Sequence, residues 1–295
     1  MKMGDVVRIG SRASRLAVIQ AEIISDGIKK KYPEIRTEIV PMKTSGDRIQ
    51  NRSLTEIGGK GLFVQELEHA LLEGRIDIAV HSLKDVPMEA NPALPIVAYG
   101  RREDPRDVLI YKPGKSEFPK TGIVGTSSSR RTLQMQMLYP GCRFRPIRGN
   151  VQTRLQKLEK EEYDGTILAA AGLRRLGVET AAGRYFTVEE MIPAAGQGIL
   201  AVQGRREDPM PWLDAVKNTE SEYAACAERQ FVRVLEGGCT SPTAAYASIC
   251  GTEIRLLGLY QDPKTREVRT GYLTGNVERA RQLGERLAKQ MKDSL

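Results

Sequence analysis

One short pattern occurs twice in this chain. Residues 6–10 and 122–125 each read as a strand closing on a glycine, Gly10 or Gly125. After each glycine come Ser11 or Thr126, two spacer residues, Ser14 or Ser129, and then Arg15 or Arg130, at the entrance to a helical stretch. The parallel continues. The segments 36–42 and 143–147 read as strands leading into polar loops, 62–73 and 151–161 as amphipathic helices, and 76–81 and 165–170 as closing strands. In the first of these helices Phe63, Leu67, Ala70 and Leu71 recur on one face, the spacing of a helix that buries one side. Strand, helix, strand, helix, strand, read twice, predicts two α/β lobes in sequence. The copies are offset by 115 residues at Gly10 and Gly125 but by 87 at Asp77 and Asp164, so the first copy carries extra residues. These are assigned to 45–61, SGDRIQNRSLTEIGGKG, whose polar, glycine-rich composition suits either a loop over a site or an inert surface insertion.

In each copy a serine-rich helix entrance follows the carboxyl end of a strand. Unpaired amides and the positive end of the helix dipole favour anions there, although a serine at such a place also serves as an ordinary N-cap. Charge bears on the choice. The 295 residues carry a net charge of +8, and the cations divide into 29 Arg and 16 Lys. Arginine presents a planar fork suited to carboxylate and phosphate, so composition leaves two readings open, a multiply anionic partner or a solvated basic surface. From Phe118 to Leu158 there is no acidic residue, while Lys120, Arg130, Arg131, Arg143, Arg145, Arg148, Arg154 and Lys157 fall inside. Arg174 and Arg175 form a second cationic patch.

Other signals exclude function classes. The N-terminal residues contain charge and glycine before any apolar run, and no apolar stretch approaches the length of a membrane span, so the expected location is the cytoplasm. The four cysteines form no C-x-x-C pair and only His69 and His81 accompany them, which argues against a zinc or disulfide framework, and no metal is expected. Gly114-Lys115-Ser116 lacks the earlier glycine of a phosphate loop, because Leu109 stands there, and Gly196-Gln197-Gly198 lacks the third glycine of a dinucleotide fingerprint, because Ala201 stands there.

Two places carry candidate chemistry. Residues 77–87 run from an apolar strand into His81, Ser82, Lys84 and Asp85 before Pro87 stops regular structure. Ionisable groups at the carboxyl end of an α/β strand occupy the usual ligand position, where a carboxylate beside cations can stabilise positive charge or carry a proton; a Lys-Asp pair in a turn is the alternative. Cys239 follows a helix over 222–235 that Gly237 and Gly238 are expected to end, so it falls in a turn before Pro242. A thiol in such a turn becomes nucleophilic where cations lower its pKa. Cys226, within a helix, and Cys250, at a strand end, read as packing residues.

Taken in order, IGSRASRLA, IGGKGLF, AVHSLKDVP, REDPRDV, GTSSSRR, RGNVQTRL, AAAGLRRLG, PAAGQG and LEGGC closely resemble the porphobilinogen deaminase (hydroxymethylbilane synthase) family over almost the whole chain. The resemblance implies two α/β lobes like type II periplasmic binding proteins plus a small α+β C-terminal domain. The first lobe would take 1–100 and 198–218, the second 101–197, and the cofactor-attachment domain 219–295. The last would comprise a helix, three extended segments (244–249, 253–260, 267–273) and a final helix from Val277.

It also implies an activity. The family joins four porphobilinogen molecules head to tail with loss of ammonia and hydrolyses the linear product free as hydroxymethylbilane. Its primer is a dipyrromethane cofactor held by a thioether to the cysteine that matches Cys239. Loss of ammonia from an aminomethylpyrrole leaves an electron-poor azafulvene cation, which the free α-carbon of the terminal pyrrole attacks. Asp85 matches the catalytic aspartate, which stabilises positive pyrrole nitrogens and helps move protons, with no need of a histidine. Each ring carries an acetate and a propionate, and Arg12, Arg130, Arg131, Arg148, Arg154 and Arg175 match carboxylate-binding positions. Ser14, Lys60, Ser82, Lys84, Thr126, Ser128, Asn150 and Gln197 match further donors around cofactor and substrate. Glu56 stands where some relatives have Lys and reads as a surface residue of the loop. The expected partner is a small molecule, with no nucleic acid and no membrane, and the expected state a monomer. A noncatalytic anion receptor would need neither Cys239 nor a third domain. A nucleic-acid binder would want more than 5% aromatics and a basic helix or tail, where here the arginines are dispersed among loops.

Overall fold

The computed structural model describes residues 6–44, 64–89, 91–178, 182–237 and 241–293. The segment 45–61, with Glu56 and Lys60, lies outside the described residues, and so does Cys239. The chain divides into two compact units. One ends at Glu103 and resumes over Ile199–Glu222, and the other takes Asp104–Gly198 and the chain from Tyr223.

The first unit is built on a five-stranded sheet. Its strands are β1 (Val6–Arg12), β2 (Arg36–Met42), β3 (Ile78–Ser82), β4 (Ile96–Tyr99) and the returning β10 (Leu200–Gly204), in the order β2-β1-β3-β10-β4. β1 runs parallel to β2 and β3, whereas β10 is antiparallel to both its neighbours. Helix α1 (Arg15–Lys31) buries Ala17, Ala21, Ile24 and Ile28, a spacing of three to four residues that makes one continuous apolar stripe. That stripe packs with Val7, Ile9, Ile78, Val80 and Val202. On the other face α2 (Gln65–Leu72) sets Leu67, Ala70 and Leu71 against Ile76, Ala79 and Leu94. Gly10 permits this approach, since a Cβ there would stand 2.3 Å from Ile76 Cδ1.

The second unit repeats the plan. Its strands β5 (Asp107–Tyr111), β6 (Ile123–Gly125), β7 (Arg143–Arg145), β8 (Gly165–Ala169) and β9 (Gly183–Tyr185) lie in the order β7-β6-β8-β5-β9, with β5 antiparallel to its neighbours. Helices α3 (Ser129–Leu138), α4 (Val151–Lys160) and α5 (Ala170–Arg175) cover it. Equivalent carboxylates brace equivalent strands. Asp77 accepts from the Arg8 amide at 2.8 Å, and Asp164 accepts from the Ile123 amide at 2.7 Å. The duplication read from the sequence is therefore a duplication of sheet order, strand direction and side-chain bracing.

The same unit contains a three-stranded antiparallel sheet of β11 (Ala244–Cys250), β12 (Glu253–Gln261) and β13 (Val268–Asn276), with helix α7 (Ala280–Asp293) and, from Tyr223 on, helix α6 (Thr219–Val234). Ala244, Leu257 and Leu259 pack with Ile192. The fully buried Glu228 on α6 accepts from the amides of Gly196 and Ala247, each at 2.7 Å. The two helices meet at Gly284, where a Cβ would lie 2.3 Å from the carbonyl oxygen of Ala227. Backbone cannot give way as a side-chain tip can. Gly284→Ala is therefore expected to destabilise by about 1–3 kcal/mol, seen as a lower midpoint of chemical denaturation; an unchanged midpoint would refute this packing.

Two expectations are corrected here. Helix α6 ends through Glu236, not Gly237: Glu236 adopts φ +54, with its amide on Arg233 O and the Gly237 amide on Val232 O. This is a Schellman arrangement with a non-glycine in the left-handed place. Cys226 and Cys250 are exposed rather than packed, because the buried positions of α6 (Ala224, Ala225, Glu228, Phe231) lie on another side and Cys250 ends its strand. The run without acids finds counter-ions elsewhere in the chain, since Arg130 and Arg131 reach Asp107 and Arg145 reaches Glu162. No helix among the described residues is long and apolar enough to cross a membrane.

Candidate active site

In the first unit the carboxyl ends of β1 and β3 share one edge of the sheet, because the two strands are parallel neighbours. Half-buried Arg12 closes β1, and Ser14 caps α1, its Oγ accepting from the Ala17 amide at 3.4 Å. Capping uses an acceptor pair of the hydroxyl and leaves its proton for another partner. Ser82 closes β3 and is held by Gln20 of α1, whose Nε2 donates to its Oγ at 2.8 Å. A single 3-10 turn, Leu83–Asp85, then presents Lys84 and Asp85. Fully buried Leu83 anchors it, with the Leu83 amide on Ile199 O at 3.0 Å and the Val86 amide on Leu83 O at 3.1 Å. Asp85 is thereby exposed, and its carboxylate has no hydrogen-bond or ion-pair partner among the described residues.

His81 has a different environment. It points to the opposite side of β3 from Ser82 and is buried, its Nε2 at 3.1 Å from Gln203 Oε1. Gln203 spends its amide protons on Glu68 Oε1 and Leu94 O, so its Oε1 accepts and His81 Nε2 carries the proton. Burial pulls the pKa of His81 down to about 4, more than the Gln203 contact and Asp85 raise it. At neutral pH the ring is uncharged and internal, and the exposed carboxylate of the following turn is that of Asp85.

In the second unit β6, β7 and β8 run parallel, and the antiparallel β5 brings its first residue, Asp107, to the edge where they end. Thr126 is buried, and its Oγ1 accepts from the Ser128 amide at 3.2 Å. Ser128 caps α3, accepting from the Arg131 amide at 3.4 Å, and Asn150 caps α4, accepting from the Thr153 amide at 2.9 Å. Arg148 is half-buried ahead of α4, and Arg154, one turn into it, donates through Nε to Gly149 O at 2.9 Å. Arg175 donates to Gly198 O at 2.7 Å, while its neighbour Arg174 pairs with Asp104.

Arg130, Arg131 and Gln197 converge on one carboxylate. Arg130 Nη2 lies 2.7 Å from Asp107 Oδ2, and Arg131 Nη2 donates to Oδ1 at 2.7 Å. Gln197 Nε2 donates to the same Oδ1 at 3.0 Å and to Pro105 O at 2.7 Å. The remaining guanidinium protons are partly taken by carbonyls, Arg130 on Ile192 O and Arg131 on Ile167 O. Burial lowers the pKa of Arg130 and the Asp107 charge opposes it. The sequence reading singled out neither Asp107, Gln20 nor Glu228, since each acts on a partner far along the chain; the REDPRDV passage was the available signal for Asp107.

Family models divide the chain in two. Residues 7–211 match the model described as "Porphobilinogen deaminase, dipyromethane cofactor binding domain", and residues 223–293 match "Porphobilinogen deaminase, C-terminal domain". The chain belongs to the porphobilinogen deaminase family. It is 50% identical to the porphobilinogen deaminase of Ruminiclostridium josui over 289 residues, covering 98% of each chain. It is 50% identical to that of Acetivibrio thermocellus over 285 residues, 97% of each, and 42% identical to that of Clostridioides difficile, 95% of each. Among solved structures it is similar to a probable amino-acid ABC transporter extracellular-binding protein of Bacillus subtilis, at 10% identity and a TM-score of 0.43, over 72% of this chain and 88% of that one.

The first of these models makes residues 7–211 of this porphobilinogen deaminase relative a dipyrromethane-binding region. The side chains present fit such a group. A dipyrromethane offers acetate and propionate arms that need cations and hydroxyl donors, and pyrrole N–H groups that need an acceptor. Arginines and capping hydroxyls of the kind the former need stand at the strand ends of each unit, and Asp85, exposed and without a hydrogen-bond or ion-pair partner among the described residues, is a carboxylate of the kind the latter need.

Proposed function

We propose that the chain is a hydroxymethylbilane synthase, which joins four porphobilinogen molecules head to tail with release of ammonia and frees the linear product by hydrolysis, in tetrapyrrole biosynthesis. The carrying observation is the family match over nearly the full chain, in both its parts. The enzyme works as a monomer in the cytoplasm, on a small molecule, without nucleic acid or membrane. Its primer is a dipyrromethane attached through a thioether to Cys239, and when bound it supplies the nucleophilic pyrrole carbon on which the product grows.

The residues divide the work by chemistry. Arg12, Arg148, Arg154 and Arg175, with Arg130 and Arg131, take acetate and propionate groups, for which a guanidinium offers two parallel donors. Lys60, Lys84, Ser14, Ser82, Thr126, Ser128, Asn150 and Gln197 add single donors, and the N-termini of α1, α3 and α4 add the field of their unpaired amides. Asp85 accepts a hydrogen bond from pyrrole nitrogen, steadies positive charge there, and takes and returns a proton. Its exposure on a backbone-anchored turn supports this assignment.

Intact mass of the purified protein tests the reading. The mass should exceed that of the polypeptide by a two-pyrrole adduct, peptide mapping should place it on Cys239, and Ehrlich's reagent should colour the protein. Unmodified protein after incubation with porphobilinogen would sink the mechanism.

A further inference from the structure

The two lobes repeat one another, and the place where they differ is informative. Counted from the capping serines Ser14 and Ser128, Arg130 and Arg131 correspond to Leu16 and Ala17. Counted from the sheets, Asp107 corresponds to Leu200, since Asp107 pairs with Ala169 at the end of β8 as Leu200 pairs with Ser82 at the end of β3. The first lobe therefore holds Leu16, Ala17 and Leu200 where the second holds Arg130, Arg131 and Asp107. The shared fold does not require a carboxylate at this point, because the first copy closes the same edge with an aliphatic residue that is 2% exposed.

We infer that Asp107 is a positioning residue of the second lobe, holding Arg130, Arg131 and Gln197 as one preorganised carboxylate-binding unit. Its carboxylate is 0% exposed, and the two arginines are 5% and 6% exposed. Each carboxylate oxygen faces a different guanidinium, and Gln197 shares the oxygen that Arg131 uses. Two cations balanced by one anion leave the cluster with a net positive charge, which an incoming carboxylate meets without the arginines having to reorganise. The remaining Arg131 nitrogen, Nε, is buried with no hydrogen-bond partner, so the guanidinium is held by its two terminal nitrogens alone. Gln197 is pinned from its other side as well. Its turn has φ +77 at Gly196 and +89 at Gly198, and Glu228 fixes the Gly196 amide. Asp107 touches no reacting atom in this scheme and acts through its partners.

The inference rests on the reading of Arg130, Arg131 and Gln197 as carboxylate binders, and a double-mutant cycle separates the two. Full-length Asp107→Asn, Arg131→Gln and the double variant are compared for porphobilinogen KM and kcat, for adduct loading by intact mass after incubation of cofactor-free protein with porphobilinogen, and for denaturation midpoint. Each single change is expected to raise KM by about tenfold and to slow loading, with kcat within about threefold, and the double variant to fall well short of the product of the two. Effects that multiply would overturn the role of Asp107 alone. An Arg131→Gln protein with parental KM and loading would overturn the reading of the arginines and the inference with it. A lower midpoint in Asp107→Asn with parental KM and loading would make Asp107 purely structural and also overturn it. If Asp107→Asn does not fold, Asp107→Glu keeps the charge and shifts it by one methylene; a severalfold rise in KM is then expected, and a parental KM would overturn the inference.

Discussion

Asp85→Asn is expected to lower kcat by roughly 10²–10⁴-fold, the usual contribution of a positioned acid–base group, while the protein stays folded and keeps its two-pyrrole adduct. Both halves follow from the geometry. Asparagine preserves the shape of the side chain but removes the charge that would steady a positive pyrrole nitrogen, and its amide cannot take up the proton. The fold has little at stake in that charge, because Asp85 is exposed and makes no hydrogen bond or ion pair to a described residue. A surface change of this kind shifts stability by about 0.5 kcal/mol or less. The turn is anchored by Leu83 and by backbone bonds on both sides, none of which uses the carboxylate. Steady-state kinetics and denaturation on the same preparation check this. A rate near the parent's would remove Asp85 from its role, and a rate lost in step with stability would make the residue structural.

The second large effect is expected at Cys239. Cys239→Ser should abolish both the adduct and turnover, because an alcohol is not appreciably ionised at neutral pH whereas a thiol is a nucleophile there. Exposure alone does not choose among the cysteines. Cys142 is disfavoured, since it is buried and burial pushes its thiol pKa up, but Cys226 and Cys250 are exposed. The controls are therefore Cys226→Ser and Cys250→Ser, each expected to keep the full adduct and the parental rate. An adduct that survives Cys239→Ser and disappears with either control would move the attachment site.

How much of this was legible beforehand depended on the reach of each interaction. The capping serines Ser14 and Ser128 were readable because a cap bonds an amide three residues on, whereas Asn150 was singled out only through the family motif and its capping of Thr153 came from the structure. Gly10 and Gly125 take equivalent places in the two sheets, opposite Ala79 and Thr166, but β1 does not close on its glycine and runs on to Arg12, whereas the antiparallel segments of the C-terminal sheet lay close to their expected bounds. The end of α6 was misread by one residue, because glycine is the usual left-handed residue and the chain used Glu236 instead. The neutral state of His81 was not legible, since it follows from burial and from Gln203, 122 residues away.

The sequence by itself determined the duplicated α/β plan, the helix entrances and the order of the family motifs, all of which are written in residues a few positions apart. Only the tertiary structure decided which charges are spent. Arg130 and Arg131 sit in a run without acids, yet their counter-ion is Asp107, delivered from an earlier strand by the antiparallel direction of β5. Gly196 is held by Glu228 from the following helix, 32 residues on. Ion pairing and desolvation act over distances in space, and in this chain the sheet order sets those distances.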